Sequence, residues 1–265
     1  MPKPVTERKF KSIYYEVGGP GGATAVVFTH GFALDHETWR EQIEALSETY
    51  RTLAWDVPGC GDAAEASDPV RFDVAAEMLL DVLHDEGINR AVLVGQSMGS
   101  VLNQYVAHHH PDRVQALVHV GGVPLHEEFS NRMIKLMGLH VWIVQLMPER
   151  LLYNLFGWLV AHTDDAQEYV KQVSARTGKA NMVALERKLL KDLEQGIPTE
   201  LTAHPHLIVV GENEYAPLRR KARKWSARLP DSEYATLPDA GHLANHDNPT
   251  AFNKILSSFL EALDW

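Results

Sequence analysis

The pentapeptide Gly95-Gln96-Ser97-Met98-Gly99 constrains this chain more than any other feature. It follows the short apolar run Ala91-Val92-Leu93-Val94 and precedes a helical pattern that reaches His109. A G-x-S-x-G segment between a strand and a helix takes the chain through a tight, strained turn, and small residues at both glycine positions give that turn room. The serine hydroxyl then points out of the sheet, at the positive end of the following helix. The plainer reading of Ser97 is an N-cap for that helix, which is physically sound as well.

The surrounding pattern supplies a context for such a turn. Ala25-Val26-Val27-Phe28-Thr29, Thr52-Leu53-Ala54-Trp55-Asp56, Val114 to Val120 and Leu207-Ile208-Val209-Val210 are short and mostly apolar, as suits strands buried on both faces. Phe10 to Val17 has strand composition, and a last short strand lies around Tyr234 to Leu237. Helical patterns alternate with these runs: Trp39, Ile43 and Leu46; Val74 to His84; Leu218 to Leu229; and a final helix from Pro249. Alternation of this kind predicts an α/β fold with a parallel sheet wrapped by helices. From Leu125 to about Thr199 no strand pattern occurs, only helical stretches rich in Leu, Met and Trp.

A serine hydroxyl is a weak nucleophile until a base takes its proton. His242, in Ala240-Gly241-His242 between the last strand and the last helix, is the candidate base. An acid is needed to orient it, and the loop after Leu207–Val210 reads Gly211-Glu212-Asn213-Glu214. Glu214, third after the glycine, is the first choice and Glu212 its competitor; both could equally be solvated loop residues. Acyl transfer also builds a negative oxygen that needs donors. The expected donors are the backbone N–H of Met98 and that of Phe32, in the His30-Gly31-Phe32 loop after the first central strand. His30 reads as a structural loop histidine.

Taken together, His30-Gly31-Phe32, Asp56-Val57-Pro58-Gly59-Cys60-Gly61, Gly95-Gln96-Ser97-Met98-Gly99, Pro111-Asp112-Arg113-Val114, Gly211-Glu212-Asn213-Glu214 and Gly241-His242 resemble the α/β-hydrolase fold superfamily. The resemblance implies a mostly parallel eight-stranded sheet flanked by helices, with a core over 1–122 and 201–265 and an inserted helical cap over 123–200. It also implies Ser97 as nucleophile, His242 as base, Phe32 and Met98 as oxyanion donors, and a serine esterase or lactonase without cofactor. Family members usually carry Asp where Glu214 stands, and often a third glycine where Ser100 stands. Serine at the elbow speaks against the dehalogenases and epoxide hydrolases, whose nucleophile is a carboxylate. Perhydrolase or haloperoxidase-like chemistry, C–C bond hydrolysis, and a receptor-like binding role on the same scaffold are the alternatives.

The cap segment is apolar enough to roof a pocket for a hydrophobic small-molecule substrate, with Met133, Met137, Trp142, Leu146 and Tyr153 as lining residues beside Phe32, Met98 and Leu243. The same side chains could instead glue the cap to the core, or join two copies in a homodimer. A net charge of -10 disfavours binding to nucleic acid, and the single Cys60 excludes an internal disulfide. No signal peptide is visible, and polar residues break the greasiest stretch, so the expectation is a cytoplasmic chain with no membrane span. The 14 histidines show no ligand spacing, so no metal is expected. The basic run Arg219, Arg220, Lys221, Arg223, Lys224 and Arg228 reads as a solvated helix face, or as a site for an acidic partner.

Overall fold

Runs that are apolar at every position become strands only where both faces of the sheet are covered. The structure, a computed structural model, describes residues 6–10, 12–65, 67–124, 131–195 and 203–263. It does not describe the side chains of 131–137, 140, 193 and 195. The strands are β1 (Thr6–Phe10), β2 (Ile13–Gly18), β3 (Ala25–Thr29), β4 (Arg51–Trp55), β5 (Ala91–Gln96), β6 (Val114–Val120), β7 (His206–Gly211) and β8 (Ser232–Leu237). They form one sheet in the order β1-β2-β4-β3-β5-β6-β7-β8. The β1–β2 and β2–β4 pairings are antiparallel, and all the others are parallel. Every residue of β3, β5 and β7 is buried. Edge strand β1 is polar and largely exposed, and β8 is partly exposed with Ser232, Glu233 and Thr236 along it, which blunts pairing with other chains.

The strand composition of Phe10 to Val17 suggests one strand. The chain instead folds back between β1 and β2, with Phe10 opposite Ile13. A composition that suits a strand does not mark a reversal inside it. Glu86 anchors this hairpin by accepting from Arg8 (2.5 Å), the Tyr15 hydroxyl (3.0 Å) and Arg51 (2.7 Å).

Helices α1 (Arg40–Leu46), α2 (Phe72–Asp85), α3 (Met98–His109), α8 (Ala216–Ser226) and α10 (Pro249–Ala262) flank the sheet. Leu79, Leu83, Val101 and Leu102 of α2 and α3 close one face over Val27, Leu53 and Leu93. Ile43 and Leu46 of α1, with Phe252, Leu256 and Phe259 of α10, close the other face over Val26, Phe28 and Val94. The start of α10 follows from its sequence: Asn248 caps it by accepting from Ala251 N–H (3.1 Å), and Pro249 occupies the first turn.

Between β6 and β7 the described residues form four helices: α4 (Asn131–Leu146), α5 (Glu149–Val160), α6 (Asp164–Thr177) and α7 (Lys179–Gln195). Helix α5 packs on α6, and α4 on α7. The α5–α6 approach is close enough that a Cβ on Gly157 would lie 2.7 Å from the Gln167 carbonyl oxygen. Helix α6 also rests on the turn Gly61–Ala63 and on the short α9 (Ala244–Asp247). Among the described residues no helix is long and apolar enough to cross a membrane.

The topology places the site. The chain leaves β3 for β4 on one side and later returns to β5 on the other, so the strand order reverses at β3. A crevice opens beyond the carboxyl ends of strands at such a switch point. His30 follows β3 there, and Ser97 follows β5.

Candidate active site

Ser97 connects β5 to α3 with φ 48° and ψ −110°, a left-handed conformation that a side chain rarely adopts. Its N–H donates to the Val120 carbonyl (2.8 Å). The flanking glycines are required by close backbone approach. A Cβ on Gly95 would lie 2.5 Å from Ser100 N, and one on Gly99 would lie 2.2 Å from the Thr29 carbonyl oxygen. Ser97 is therefore a strained elbow residue rather than a side-chain cap, since its side chain makes no capping hydrogen bond.

The Glu214 carboxylate is buried and meets His242 Nδ1 at 2.5 Å. Its second oxygen accepts from Tyr215 N–H (2.8 Å), which fixes the carboxylate plane. Glu212 is exposed and bonds through its backbone N–H to Leu237 O. The two loops can meet because Gly211 has no side chain: a Cβ there would lie 2.2 Å from the carbonyl oxygens of Ala240 and Gly241. With Nδ1 directed to Glu214, the free edge of the imidazole is Nε2.

Two contacts bring the His242 and Ser97 segments together. Gln96, just before the serine, donates its side-chain amide to the His242 carbonyl (3.2 Å). Gly121, next to the Val120 that accepts from Ser97, lies under the imidazole, and a Cβ there would be 2.8 Å from Nδ1.

The His30-Gly31-Phe32 loop lies against the same elbow, since a Cβ on Gly31 would lie 1.8 Å from Gln96 Oε1. His30 is fully buried, and its Nε2 accepts from Val57 N–H (2.9 Å) while Nδ1–H donates to Gly31 O (2.7 Å). Burial lowers its pKa, so it is a neutral ring tying this loop to the chain beyond β4. Met98 opens α3, where backbone N–H groups have no partner within the helix.

The Phe32 ring makes an edge contact with Phe156 of α5 at 5.9 Å. It also lines a cavity of about 270 Å³ with Val144, Met147, Leu152, Phe156 and Met182. The residues expected to line a pocket divide unevenly. Tyr153 packs beside this cluster and accepts Lys179 N–H (3.0 Å). Met98 is buried in the core facing α2, and Leu243 is buried among Leu34, Ala161 and Val170. Trp142 and Leu146 are 64% and 81% exposed and face away from the cavity, because α4 turns Val141 and Val144 inward instead. Met133 and Met137 lie on α4, but their side chains fall outside the described residues.

Several polar groups near the site were not singled out by their sequence. Asp56 accepts His36 N–H (2.8 Å), His36 Nδ1–H (2.8 Å) and Asp62 N–H (2.7 Å). Burial alone would lower the His36 pKa, but the Asp56 hydrogen bond and charge, with Asp35 and Glu16, raise it to about 9. Asp56 is held below the usual carboxylate range, against its burial, by the same His36. Asp35 accepts from the Tyr169 hydroxyl (2.6 Å) and from Arg176, both on α6, and burial pushes its pKa up to about 6. Glu16–His36–Glu37 and His36–Asp56–Asp62 bring metal-ligand atoms within 4.8 Å of one another, but the second group is already joined by hydrogen bonds. Ser100 turns its hydroxyl to buried His119 Nδ1 (2.8 Å), whose Nε2 meets His206 Nδ1 (3.1 Å). Burial pushes the Cys60 thiol up, so it stays protonated.

A family model described as the alpha/beta hydrolase fold matches residues 24–249. The chain is 28% identical over 253 residues to the dihydrolipoyllysine-residue acetyltransferase component of an acetoin cleaving system in Pseudomonas putida, covering 93% of this chain and 66% of that protein. It thus spans just under two thirds of that longer relative. It is 28% identical over 249 residues to RutD of Klebsiella pneumoniae, a protein named for carbamate hydrolysis, covering 91% of this chain and 93% of that one. A thermophilic esterase of Thermogutta terrifontis superimposes with a TM-score of 0.79 at 19% identity over 98% of both chains, a likeness of fold.

Proposed function

The chain belongs to the α/β-hydrolase fold family, and from that premise we propose that it is a serine hydrolase cleaving a carboxylic ester or lactone of a hydrophobic small molecule. The 2.5 Å contact between His242 Nδ1 and buried Glu214 carries this reading, because it leaves Nε2 as the imidazole edge that can serve Ser97. His242 takes the Ser97 proton as the hydroxyl attacks the substrate carbonyl. Glu214 keeps the ring in the tautomer this needs and stabilises the imidazolium that forms. The N–H groups of Met98 and Phe32 receive the negative charge that develops on the carbonyl oxygen. The imidazolium returns its proton to the departing alkoxide, leaving an acyl-serine. Water, deprotonated by the same histidine, then releases the acid.

Helices α4, α5 and α7, within the segment read as the cap over 123–200, supply most of the apolar cavity beside Phe32. An apolar acyl or aromatic group suits that lining. The name of the Klebsiella relative favours a second reading, attack on a carbamate carbonyl, which the same three residues could perform.

The test is Ser97→Ala assayed on p-nitrophenyl esters of graded chain length. The expected result is a loss of kcat of about a thousandfold or more. Undiminished turnover by the purified variant would refute the mechanism.

A further inference from the structure

Asp247 ends α9, five residues beyond His242, and four donors converge on its carboxylate. Gly241 N–H donates to Oδ2 (2.8 Å), His162 N–H is shared between Oδ1 (2.9 Å) and Oδ2 (3.0 Å), and Thr163 gives Oδ1 both its N–H (2.9 Å) and its hydroxyl (3.0 Å). Gly241 immediately precedes His242. His162 and Thr163 form the link from α5 to α6. On the other side of His242, Leu243 N–H donates to the Val160 carbonyl at the end of α5 (2.9 Å). Both residues that flank the histidine are thus bonded to the segment 160–163, one directly and one through Asp247.

The packing leaves little slack in this joint. A Cβ on Gly241 would lie 3.3 Å from His162 N and 3.4 Å from Asp247 Oδ2. Thr163 also caps α6 by accepting from Ala166 N–H (3.4 Å). Hydrogen bonds to an ionised carboxylate are roughly twice as strong as neutral ones, and an amide in its place would turn a donor toward these donors. The cavity beside Phe32 is lined by Leu152, Leu155, Phe156 and Leu159 of α5, the last of them adjacent to Val160.

We propose that Asp247 is a positioning residue that clamps the His242 loop to the α5–α6 link, so that the helix lining the cavity and the base move as one body. The proposal rests on the reading of His242 as the base. It makes filling of the cavity along α5 felt at the imidazole through the segment 160–163.

The test uses the full chain with Asp247→Asn, Asp247→Glu and Thr163→Val. On a p-nitrophenyl ester, Asp247→Asn is expected to lower kcat by about tenfold or more with KM within about threefold. Asp247→Glu should restore part of the loss, and Thr163→Val should shift kcat in the same direction by less. Hydrogen exchange at Gly241, Leu243, His162 and Thr163 should quicken together by about tenfold in Asp247→Asn, and in part in Thr163→Val should the first variant not fold. Unchanged kcat, or a loss of kcat with those amides still protected, overturns the clamp. Exchange reads the clamp without turnover, so a wild-type chain inert to every ester would refute the hydrolase reading and leave this result standing on its own.

Discussion

Gln96 donates its side-chain amide to the main-chain carbonyl of His242 at 3.2 Å. The residue before the elbow serine therefore holds the backbone of the histidine, although 146 positions separate the two in sequence. A neutral hydrogen bond of this kind contributes about 1 kcal/mol, a factor of about five in rate if it is felt mainly in the transition state. Gln96→Leu is expected to lower kcat on a p-nitrophenyl ester by about fivefold with KM little changed. A pure rise in KM would mean that the contact serves substrate binding instead.

Glu214 and Glu212 make opposite predictions. Glu214→Gln removes the charge at His242 Nδ1 and offers a donor to the wrong tautomer, so kcat/KM should fall by about a hundredfold to ten-thousandfold. Glu212→Gln, on an exposed side chain, should stay within about twofold. Glu214→Asp draws the carboxylate back by about 1.5 Å, one C–C bond, and should fall between the two. Steady-state kinetics of the three variants decide the matter, and a dominant loss in Glu212→Gln would reassign the acid.

The buried His36–Asp56 pair gives stability a pH dependence. His36 has a raised pKa of about 9 in the folded chain, against about 6.5 unfolded. Between these values the folded state binds the extra proton, so the contribution is complete below about pH 6.5 and is lost as pH rises through about 9. Its size is on the order of 3 kcal/mol. Asp35, raised to about 6 by burial, acts in the same direction at lower pH, its contribution being lost as pH rises from about 4 to about 6. Urea unfolding at pH 6.5 and pH 9 should show the wild type losing stability across that window. His36→Asn should be less stable throughout and flatter; an equal slope in the variant would place the titration elsewhere.

The central strands were legible because each carries a short, mostly apolar run, a pattern that suits a doubly covered sheet. The elbow was legible because glycine, serine and glycine at fixed spacing follow such a strand. Glu214 is preferred over Glu212 by its offset from Gly211 alone, and the structure turns the Glu214 carboxylate to His242 Nδ1. Trp142 and Leu146 were misplaced because an apolar helix with hydrophobic residues on more than one face does not say which face turns inward, and α4 buries Val141 and Val144. The reversal between β1 and β2 carried no glycine or proline to announce it. The reach of Asp247 has no signal in the sequence, because closeness along the chain says nothing of contact. Its carboxylate meets Gly241 only because α9 folds back over the loop.

The central claim is that Ser97 is a nucleophile activated by His242. Reaction of the wild-type chain with a fluorophosphonate, followed by peptide mass mapping, tests this most directly. The account predicts one covalent adduct, on Ser97, that forms about a hundredfold or more slowly in His242→Ala, since a serine without its base is a weak nucleophile. An unlabelled Ser97 in the folded wild-type chain, or an adduct that forms equally fast without His242, would contradict it.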